Sequence, residues 1–168
     1  MSDVVARVPR LSVVMPNFNH GRFLAEAITA IAAQTVPPFE VVVVDDGSTD
    51  DSIARLQDMA RERPWLRVHR HPENRGVNTA CNTGLGLVTG DFVLFSAADD
   101  RLCESMVERV SAAAAAHPET GILFSDHATM SLDGATTAIV PLALPKQRRY
   151  FSGDEMVCLL YTSDAADE

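Results

Sequence analysis

Short apolar runs alternate along the chain with longer stretches in which apolar residues recur every three or four positions. The runs Leu11–Met15, Val41–Val44 and Phe92–Phe95 predict strands. The consecutive valines follow no alternating pattern, which is typical of a strand buried on both faces of a parallel sheet. Two further strands are predicted at Leu66–His69, where the signal is weaker, and at Gly121–Ser125.

Each of the first four predicted strands is followed by a stretch with helical periodicity. The predicted helices are His20–Ala33, a segment that carries Ile53, Leu56 and Met59 on one face, Val77–Val88 and Leu102–Ala116. The repeated order predicts an α/β fold: a three-layer α/β/α sandwich around a mostly parallel sheet with right-handed crossovers, incomplete at its C-terminal end. Beyond Asp126 the pattern weakens to a short strand at Thr136–Val140 and a loop from Pro141 to Arg149.

Size and charge exclude several classes of protein. With 168 residues, 46% of them hydrophobic, the chain suits one domain with a substantial core. Its net charge of −9 argues against an extended nucleic-acid footprint, which requires clustered Lys and Arg. No apolar run reaches the roughly 18–20 residues of a membrane span, and Met1 to Arg10 lacks the apolar stretch of a signal peptide. We expect a cytoplasmic protein, with the inner face of the membrane as an alternative location.

Cysteine and histidine positions suggest neither disulfides nor a metal cluster. Cys81, Cys103 and Cys158 form no C-x-x-C pair, and their odd number does not suggest a disulfide framework. In a reducing compartment we expect them to remain thiols. The histidines show no metal-ligand spacing, so we expect surface or turn positions for all of them, namely His20, His69, His71, His117 and His127.

The segment from Cys158 to Glu168 resembles the translated read-through of a transposon-end sequencing adapter. The alternative is a natural polar C-terminus. Segments of this kind are left out of fold reasoning. We therefore expect the natural gene to continue past about Val157, with a sequence that differs from this tail.

Polar clusters follow three of the predicted strands, where ligands bind in open α/β sheets. They are Pro16-Asn17-Phe18-Asn19, Asp45-Asp46-Gly47-Ser48 and Asp99-Asp100. Because the carboxyl ends of parallel strands share one edge of the sheet, all three clusters should face the same rim. That shared location predicts a ligand site there.

Asp45 and Asp46 have two interpretations that the residues alone weigh about equally. Their carboxylates can accept hydrogen bonds from a base N–H or a ribose hydroxyl. Alternatively, they form a tight turn and a helix cap, with Ser48 and Asp51 at capping-box spacing.

Asp99 and Asp100 are adjacent carboxylates whose repulsion requires a compensating cation or donor. A divalent ion with oxygen ligands would meet that need and would also bind phosphates. The alternative is a pair of solvated acids that cap a helix beginning near Leu102.

A third polar feature is Asn74-Arg75-Gly76 with Asn78 and Asn82. It predicts a turn and a helix N-terminus, where backbone N–H groups and Arg75 could receive a diphosphate. Gly84, Gly86 and Gly90 do not form G-x-G-x-x-G and follow a helix, which argues against a dinucleotide site. The P-loop pattern G-x-x-x-x-G-K-[ST] does not occur.

Taken together, these clusters resemble family 2 glycosyltransferases of the GT-A fold, over about Leu11 to Asp126. The strings that carry the resemblance are Ser12-Val-Val-Met-Pro-Asn-Phe-Asn19, Val43-Val-Asp-Asp-Gly-Ser-Thr-Asp50, Asn74-Arg-Gly-Val-Asn78, Ala80-Cys-Asn-Thr-Gly84, Gly90-Asp-Phe-Val-Leu-Phe95 and Ala98-Asp-Asp100. The resemblance implies that Pro16, Asn17, Phe18, Asn19 and Asp45 line the nucleotide base and ribose, with Asp46 beside them. It further implies a Mn²⁺ or Mg²⁺ site at Asp99 with Asp100 next to it. Arg75 and Asn82 are additional candidates for contacts to the donor.

The implied activity is transfer of a sugar from a nucleotide-diphosphate sugar, expected to be UDP-linked, to an acceptor hydroxyl. It would be metal-dependent and invert the anomeric centre. The acceptor would be a saccharide, lipid or protein, as in cell-envelope polysaccharide biosynthesis. The chain departs from the family at Ala97, where a carboxylate is common, and at Cys81, where an arginine is common. Nothing after Asp126 matches the family's general base, so the fragment itself is expected to bind donor without turnover.

The expected organisation is an N-terminal extension at 1–10, a nucleotide-sugar-binding half at 11–126, the start of an acceptor-side region at 127–157, and the non-native tail at 158–168. Two alternatives remain to transferase activity. One is a non-catalytic nucleotide-sugar-binding fragment. The other is a sugar nucleotidyltransferase, which should carry a Gly-rich basic loop where this chain has Asn17-Phe18-Asn19-His20.

Overall fold

The computed structural model describes residues 8–131 and 135–141, and the chain divides into two compact units, Met1–Ala116 and His117–Glu168. The first unit repeats a strand–helix pair four times, as the sequence predicts. Its elements are β1 (Leu11–Asn17), α1 (Gly21–Ala32), β2 (Glu40–Asp45), α2 (Ser52–Arg61), β3 (Leu66–Arg70), α3 (Val77–Leu87), β4 (Phe92–Phe95) and α4 (Met106–Ala116).

The strands of the first unit form one parallel sheet in the order β3-β2-β1-β4. β1 lies between β2 and β4, with Asn17 level with Asp45. β3 borders β2 on the other side and brings Arg70 level with Asp45. The segments that follow all four strands therefore leave the sheet at one edge, which we call the carboxyl rim.

Helices cover both faces of this sheet with their apolar sides. On one face, α1 and α2 contribute Leu24, Ile28, Ile31 and Leu56 to a core with Val13, Met15, Val41 and Val43. On the other face, Ala80 of α3 packs with Val42 and Val44. Successive β2 residues point to opposite faces, so the middle of the strand, Val41–Val44, is covered on both sides and is apolar at all four positions. The α/β/α sandwich is confirmed.

A buried carboxylate joins the elements at the edge opposite the carboxyl rim. Glu40, at the start of β2, accepts hydrogen bonds from Ser12 Oγ at 3.0 Å, from the Thr89 backbone N–H at 2.6 Å and from Arg67 at 2.9 Å. Burial raises the pKa of Glu40, but these donors outweigh it and leave the pKa below its usual value. The α3–β4 connection is thereby held to both central strands.

α4 begins later than the sequence predicts. The helix expected from Leu102 starts at Met106. The buried Gln34 amide donates to the carbonyl of Cys103 at 2.8 Å and accepts from the backbone N–H of Val107 at 3.0 Å. These bonds fix the preceding residues in a turn, so Asp99 and Asp100 do not cap a helix at Leu102.

The second unit contains an antiparallel hairpin of β5 (His127–Met130) and β6 (Thr136–Val140), with an irregularity between Thr129 and Met130. The strand expected at Thr136–Val140 is confirmed, and β5 was not predicted. The strand expected at Gly121–Ser125 is wrong: in the described part of the chain it has no paired neighbour, and an apolar run without a ladder does not form a strand. The expected tail at 158–168 and most of the loop expected from Pro141 to Arg149 lie outside the described residues.

Across the described ranges, no helix combines the length and apolar character needed to span a membrane.

We expect Gly84→Ala to lower the free energy of unfolding by about 1–3 kcal/mol, because a Cβ at this buried position of α3 would collide with the side chain of Val14 in β1. Gly86→Ala is the matched control, since a Cβ there meets nothing within 4 Å. It should stabilise the same helix by up to about 1 kcal/mol. Urea denaturation of both variants measures this difference, and equal effects would contradict the close approach of α3 to β1.

Candidate functional site

A cavity of about 330 Å³ opens at the carboxyl rim, and we call it the rim cavity. Its lining residues come from the end of β1, from the segments that follow β1, β2 and β4, and from α3 with the residues just before it. They are Pro16, Asn17, Phe18, His20, Asp46, Asn74, Gly76, Val77, Ala80, Ala97 and Asp99. The three polar clusters therefore reach one rim, as the strand order requires.

The Asn17 amide joins the end of β1 to the end of β2 and to the turn that follows β2. Asn17 Nδ2 donates to Asp45 Oδ1 at 2.8 Å and to Ser48 Oγ at 3.2 Å. Asp45 is 0% exposed, accepts from the Ser48 backbone N–H, and has Arg70 Nε at 3.6 Å. Asp45 is outside the lining of the rim cavity, and its contacts hold Asn17 and the Ser48 backbone in place.

Asn19 fixes the shape of the same loop. Its φ of 57° is left-handed, a conformation that asparagine tolerates better than most residues. Asn19 Oδ1 accepts from the backbone N–H of Thr49 at 2.8 Å, and Asn19 N donates to Ser48 Oγ at 2.9 Å. Phe18 is consequently turned outward, 40% exposed, on the wall of the rim cavity.

The capping interpretation of Ser48 and Asp51 is wrong. The Ser48 hydroxyl bonds to Asn17 and Asn19, and α2 begins at Ser52 without a side-chain cap from Asp51. The tight turn of the same interpretation is present, because Gly47 has a φ of 72°. A side chain at Gly47 would collide with the backbone of Glu73, so the segments after β2 and β3 approach each other closely.

Asp46 lies on the rim cavity but is only 3% exposed. Its carboxylate accepts from the backbone N–H of Arg75 at 3.0 Å, from that of Gly76 at 2.8 Å, and contacts His71 Nδ1 at 2.6 Å. Burial raises the pKa of Asp46, but the hydrogen bonds from His71, Arg75 and Gly76 outweigh it and lower the pKa overall. Asp46 therefore stays ionised, and its hydrogen bonds to Arg75 and Gly76 hold the segment that leads into α3.

The surface or turn position expected for His71 is wrong. The ring is 3% exposed and joins Asp46 to Thr83 Oγ1, which lies 3.0 Å from Nε2. Metal-ligand spacing gave no reason to select this histidine. A usable signal was its place directly after β3, opposite the acidic turn after β2. His20, also expected at a surface or turn position, directly precedes α1, is half-buried and lines the rim cavity.

The start of α3 forms one side of the rim cavity, the α3 wall, made of Asn74, Gly76, Val77 and Ala80. Gly76 is the residue before the helix and has a φ of 88°, which suits glycine. The turn and helix N-terminus predicted here are confirmed. Backbone N–H groups in the first turn of a helix lack intrahelical acceptors and favour anions.

Five of the predicted site residues lie outside the lining that the described residues give to the rim cavity: Asn19, Asp45, Arg75, Asn82 and Asp100. Asn19 and Asp45 act on the lining residues through hydrogen bonds. The side chain of Arg75 is exposed beside the α3 wall, as is that of Asn82 on α3. Cys81 is half-buried on the same helix, and burial raises the pKa of its thiol, so the thiol stays neutral.

Asp99 is the acidic residue that the acidic cluster contributes to the rim cavity. Its side chain is 44% exposed, with Oδ1 3.7 Å from His20 Nδ1. Within residues 8–131 and 135–141, no group of three or more His, Cys, Asp or Glu is arranged to hold a metal ion. Mg²⁺ in phosphate-binding sites is commonly held by one or two carboxylates together with substrate phosphates. An accessible carboxylate on the cavity wall fits that kind of site.

Comparison with known proteins decides the family. The family model described as Glycosyl transferase family 2 matches residues 12–131, and every residue that lines the rim cavity falls within this range. The chain belongs to glycosyl transferase family 2. An uncharacterised glycosyltransferase of Nostoc sp. is 40% identical over 96 residues, covering 54% of this chain and 28% of its own length. A PGL/p-HBAD biosynthesis glycosyltransferase of Mycobacterium bovis is 36% identical over 119 residues, covering 70% and 46%.

Solved structures of glycosyltransferases share the fold. TarS of S. aureus in complex with UDP-GlcNAc superposes with a TM-score of 0.61 at 31% identity, over 65% of this chain and 32% of its own. A mannosyltransferase of Pyrobaculum calidifontis in complex with GDP-Man and Mn²⁺ gives 0.57 at 30% identity, over 65% and 32%. The chain thus spans less than half the length of these relatives and about a third of these structures.

We expect Asp46→Asn to reduce the free energy of unfolding at pH 7 by about 2 kcal/mol, because buried N–H donors lose a charged acceptor. The lowered pKa of Asp46 adds a pH dependence. Its contribution is complete above the carboxyl pKa of the unfolded chain, about 3.9, and is lost as pH falls through the lower folded-state pKa. The difference between variant and wild type should therefore shrink below about pH 4.

Urea denaturation between pH 7 and the acid limit of folding measures this dependence. Asp58→Asn is the matched control, since Asp58 is an exposed residue of α2 paired with Arg61. Its effect should be much smaller and nearly flat with pH. A flat Asp46→Asn difference would rule out the inferred charge on Asp46.

Proposed function

We propose that the rim cavity is the donor site of a glycosyltransferase that moves a sugar from a nucleotide-diphosphate sugar to an acceptor hydroxyl. The observation that carries the proposal is the meeting, in one cavity, of an exposed aromatic ring, a helix N-terminus and an accessible carboxylate. These are Phe18, the α3 wall and Asp99. Each suits a different part of a nucleotide-sugar, namely the base, the diphosphate and the metal that accompanies it.

The base and ribose are assigned to the ends of β1 and β2 and the residues that follow them, that is Pro16, Asn17, Phe18, Asn19, Asp45 and Asp46. The outward ring of Phe18 offers an apolar face on which a planar base can stack. Asp45 and Asp46 carry hydrogen bonds within the protein. We therefore assign their effect on the donor chiefly to the shape they give to the surrounding segments.

The diphosphate is assigned to the start of α3. N–H groups of the first helical turn attract anions, and Val77 of that turn lines the rim cavity. Arg75 precedes the helix with an exposed guanidinium that can pair with phosphate oxygens. Asn82 lies further along the same helix as a candidate contact to the donor.

Asp99, with Asp100 beside it, would hold Mn²⁺ or Mg²⁺ on the donor diphosphate. Such an ion supplies positive charge that offsets the charge on the departing nucleoside diphosphate. A structural neighbour solved with GDP-Man and Mn²⁺ supports this assignment. Ala97, on the cavity wall where the family often has a carboxylate, leaves Asp99 with a larger share of metal binding.

UDP is the nucleotide we propose, supported by the fold shared with TarS in complex with UDP-GlcNAc. The transfer is proposed to invert the anomeric centre, with a general base that takes the acceptor proton. No described residue after Asp126 matches such a base in sequence, so we propose that this chain binds donor without turnover. The complete enzyme would act on a saccharide, lipid or protein acceptor, for example in cell-envelope polysaccharide synthesis at the cytoplasmic side.

For the chain as it stands, the proposed function is therefore donor binding, and turnover is proposed for the complete enzyme. A nucleotidyltransferase is less well supported, because Phe18 and Asn19 replace the Gly-rich basic loop of that class at the cavity. Incubation with UDP-sugars and an acceptor panel separates these candidates: transfer indicates an enzyme, and binding alone indicates a donor-binding module.

We expect UDP to bind the full chain more tightly with Mn²⁺ than without it, as measured by calorimetry. Asp99→Ala should remove this metal-dependent gain, about tenfold or more in Kd, because the accessible carboxylate of the rim cavity is lost. Asp58→Ala on the surface of α2 is the control and should keep it. Unchanged metal dependence in Asp99→Ala would remove Asp99 from the metal role.

A further inference from the structure

His71 is a buried imidazole that has no assigned contact with the donor. It follows β3, and its backbone N–H donates to the carbonyl of Asp45 at 2.8 Å. Its ring lies between the carboxylate of Asp46 and the hydroxyl of Thr83 on α3, at 2.6 Å and 3.0 Å. The ring thus bridges the end of β2 and the middle of α3, behind the rim cavity.

The protonation pattern of this chain of groups follows from Asp46. The pKa of Asp46 is held below its usual value, so at neutral pH the carboxylate can only accept hydrogen bonds. Nδ1 of His71 must therefore carry a proton. In the neutral ring, Nε2 is then an acceptor, and the Thr83 hydroxyl donates to it.

Asp46 in turn sets the position of the α3 wall. Its two oxygens accept the backbone N–H groups of Arg75 and Gly76, which immediately precede α3. Rotation of the carboxylate would break both bonds, since a carboxylate accepts along fixed directions. The short contact with His71 Nδ1 opposes that rotation from the other side.

We propose that His71 is a positioning residue for nucleotide-sugar binding, which fixes the Asp46 carboxylate and through it the α3 wall, without touching the donor. The inference rests on the proposed donor site. The two ring nitrogens have different partners: Nδ1–H donates to Asp46, whereas Nε2 accepts from Thr83. Only the Nδ1 hydrogen bond is needed for the positioning role. A role in packing alone would depend on the volume of the side chain.

Two amide substitutions distinguish these roles. The amide nitrogen of asparagine is two bonds from Cβ, like Nδ1 of histidine, so His71→Asn can keep the donor to Asp46. The amide nitrogen of glutamine is three bonds from Cβ, like Nε2, so His71→Gln keeps the reach to Thr83 and loses the donor to Asp46. Glutamine is closer to histidine in size, so a packing role would favour His71→Gln.

The first readout uses the ligand-free full chain. Hydrogen exchange of the Arg75 and Gly76 amides, followed by NMR, should remain slow in His71→Asn and become at least about tenfold faster in His71→Gln. In the wild type, ring ¹⁵N shifts should show the proton on Nδ1 of His71. A proton on Nε2 alone would overturn the proposal without any variant, including the case in which a variant fails to fold.

The second readout is the Kd of UDP with Mn²⁺ present. His71→Asn should stay within about threefold of wild type and His71→Gln should weaken binding about tenfold. His127→Gln, an exposed change in β5, is the control and should match wild type. Equal affinity of both His71 variants, or tighter binding by His71→Gln, would overturn the positioning role.

The proposed function and this inference fail in different ways. If the wild type binds neither UDP nor GDP while its Arg75 and Gly76 amides exchange slowly, the donor-site assignment fails and the hydrogen-bond chain stands. If the wild type binds UDP and His71→Gln changes neither amide exchange nor affinity, the donor site stands and the role of His71 is excluded.

Discussion

The burial of β2 on both faces is the constraint on which the rest of this structure depends. Val41–Val44 are all 0–1% exposed, which requires helices on each side of the sheet. Parallel pairing of β2 with β1 and β3 then sends every following segment to the carboxyl rim. The acidic turn after β2, the loop after β1 and the start of α3 meet because the sheet leaves them no other edge. The site is a consequence of the layer arrangement.

Sequence patterns predicted the elements whose stability is local or whose burial is complete, such as α1, β2 and β4. They failed where a distant partner decides. Residues near Leu102 have helical spacing, but Gln34, far away in the chain, holds Cys103 and delays α4. Gly121–Ser125 is as apolar as other strands, yet a strand needs a paired neighbour, and its own composition does not supply one.

The location and the family of the candidate site were predictable. Which of its polar side chains line the cavity, and which form hydrogen bonds within the protein, was not. Asp46, Asn17 and Asp99 lie on the rim cavity as expected. Asn19 instead accepts a hydrogen bond from the backbone N–H of Thr49. Asp45 accepts from the Asn17 amide and from the backbone N–H of Ser48. A motif records that a carboxylate is present and does not record which donors reach it. For the same reason, the buried position of His71 between Asp46 and Thr83 could not be predicted from the spacing of the histidines.

β2 also carries a buried acid at each end of its valines, Glu40 at one and Asp45 at the other. A run of valines alone tolerates sliding against its neighbours by two positions, since each side chain keeps its face. Here such a slip would draw one carboxylate into the apolar core and away from its donors, at a large cost in free energy. The two acids therefore favour a single register between β2 and its neighbours as the sheet forms.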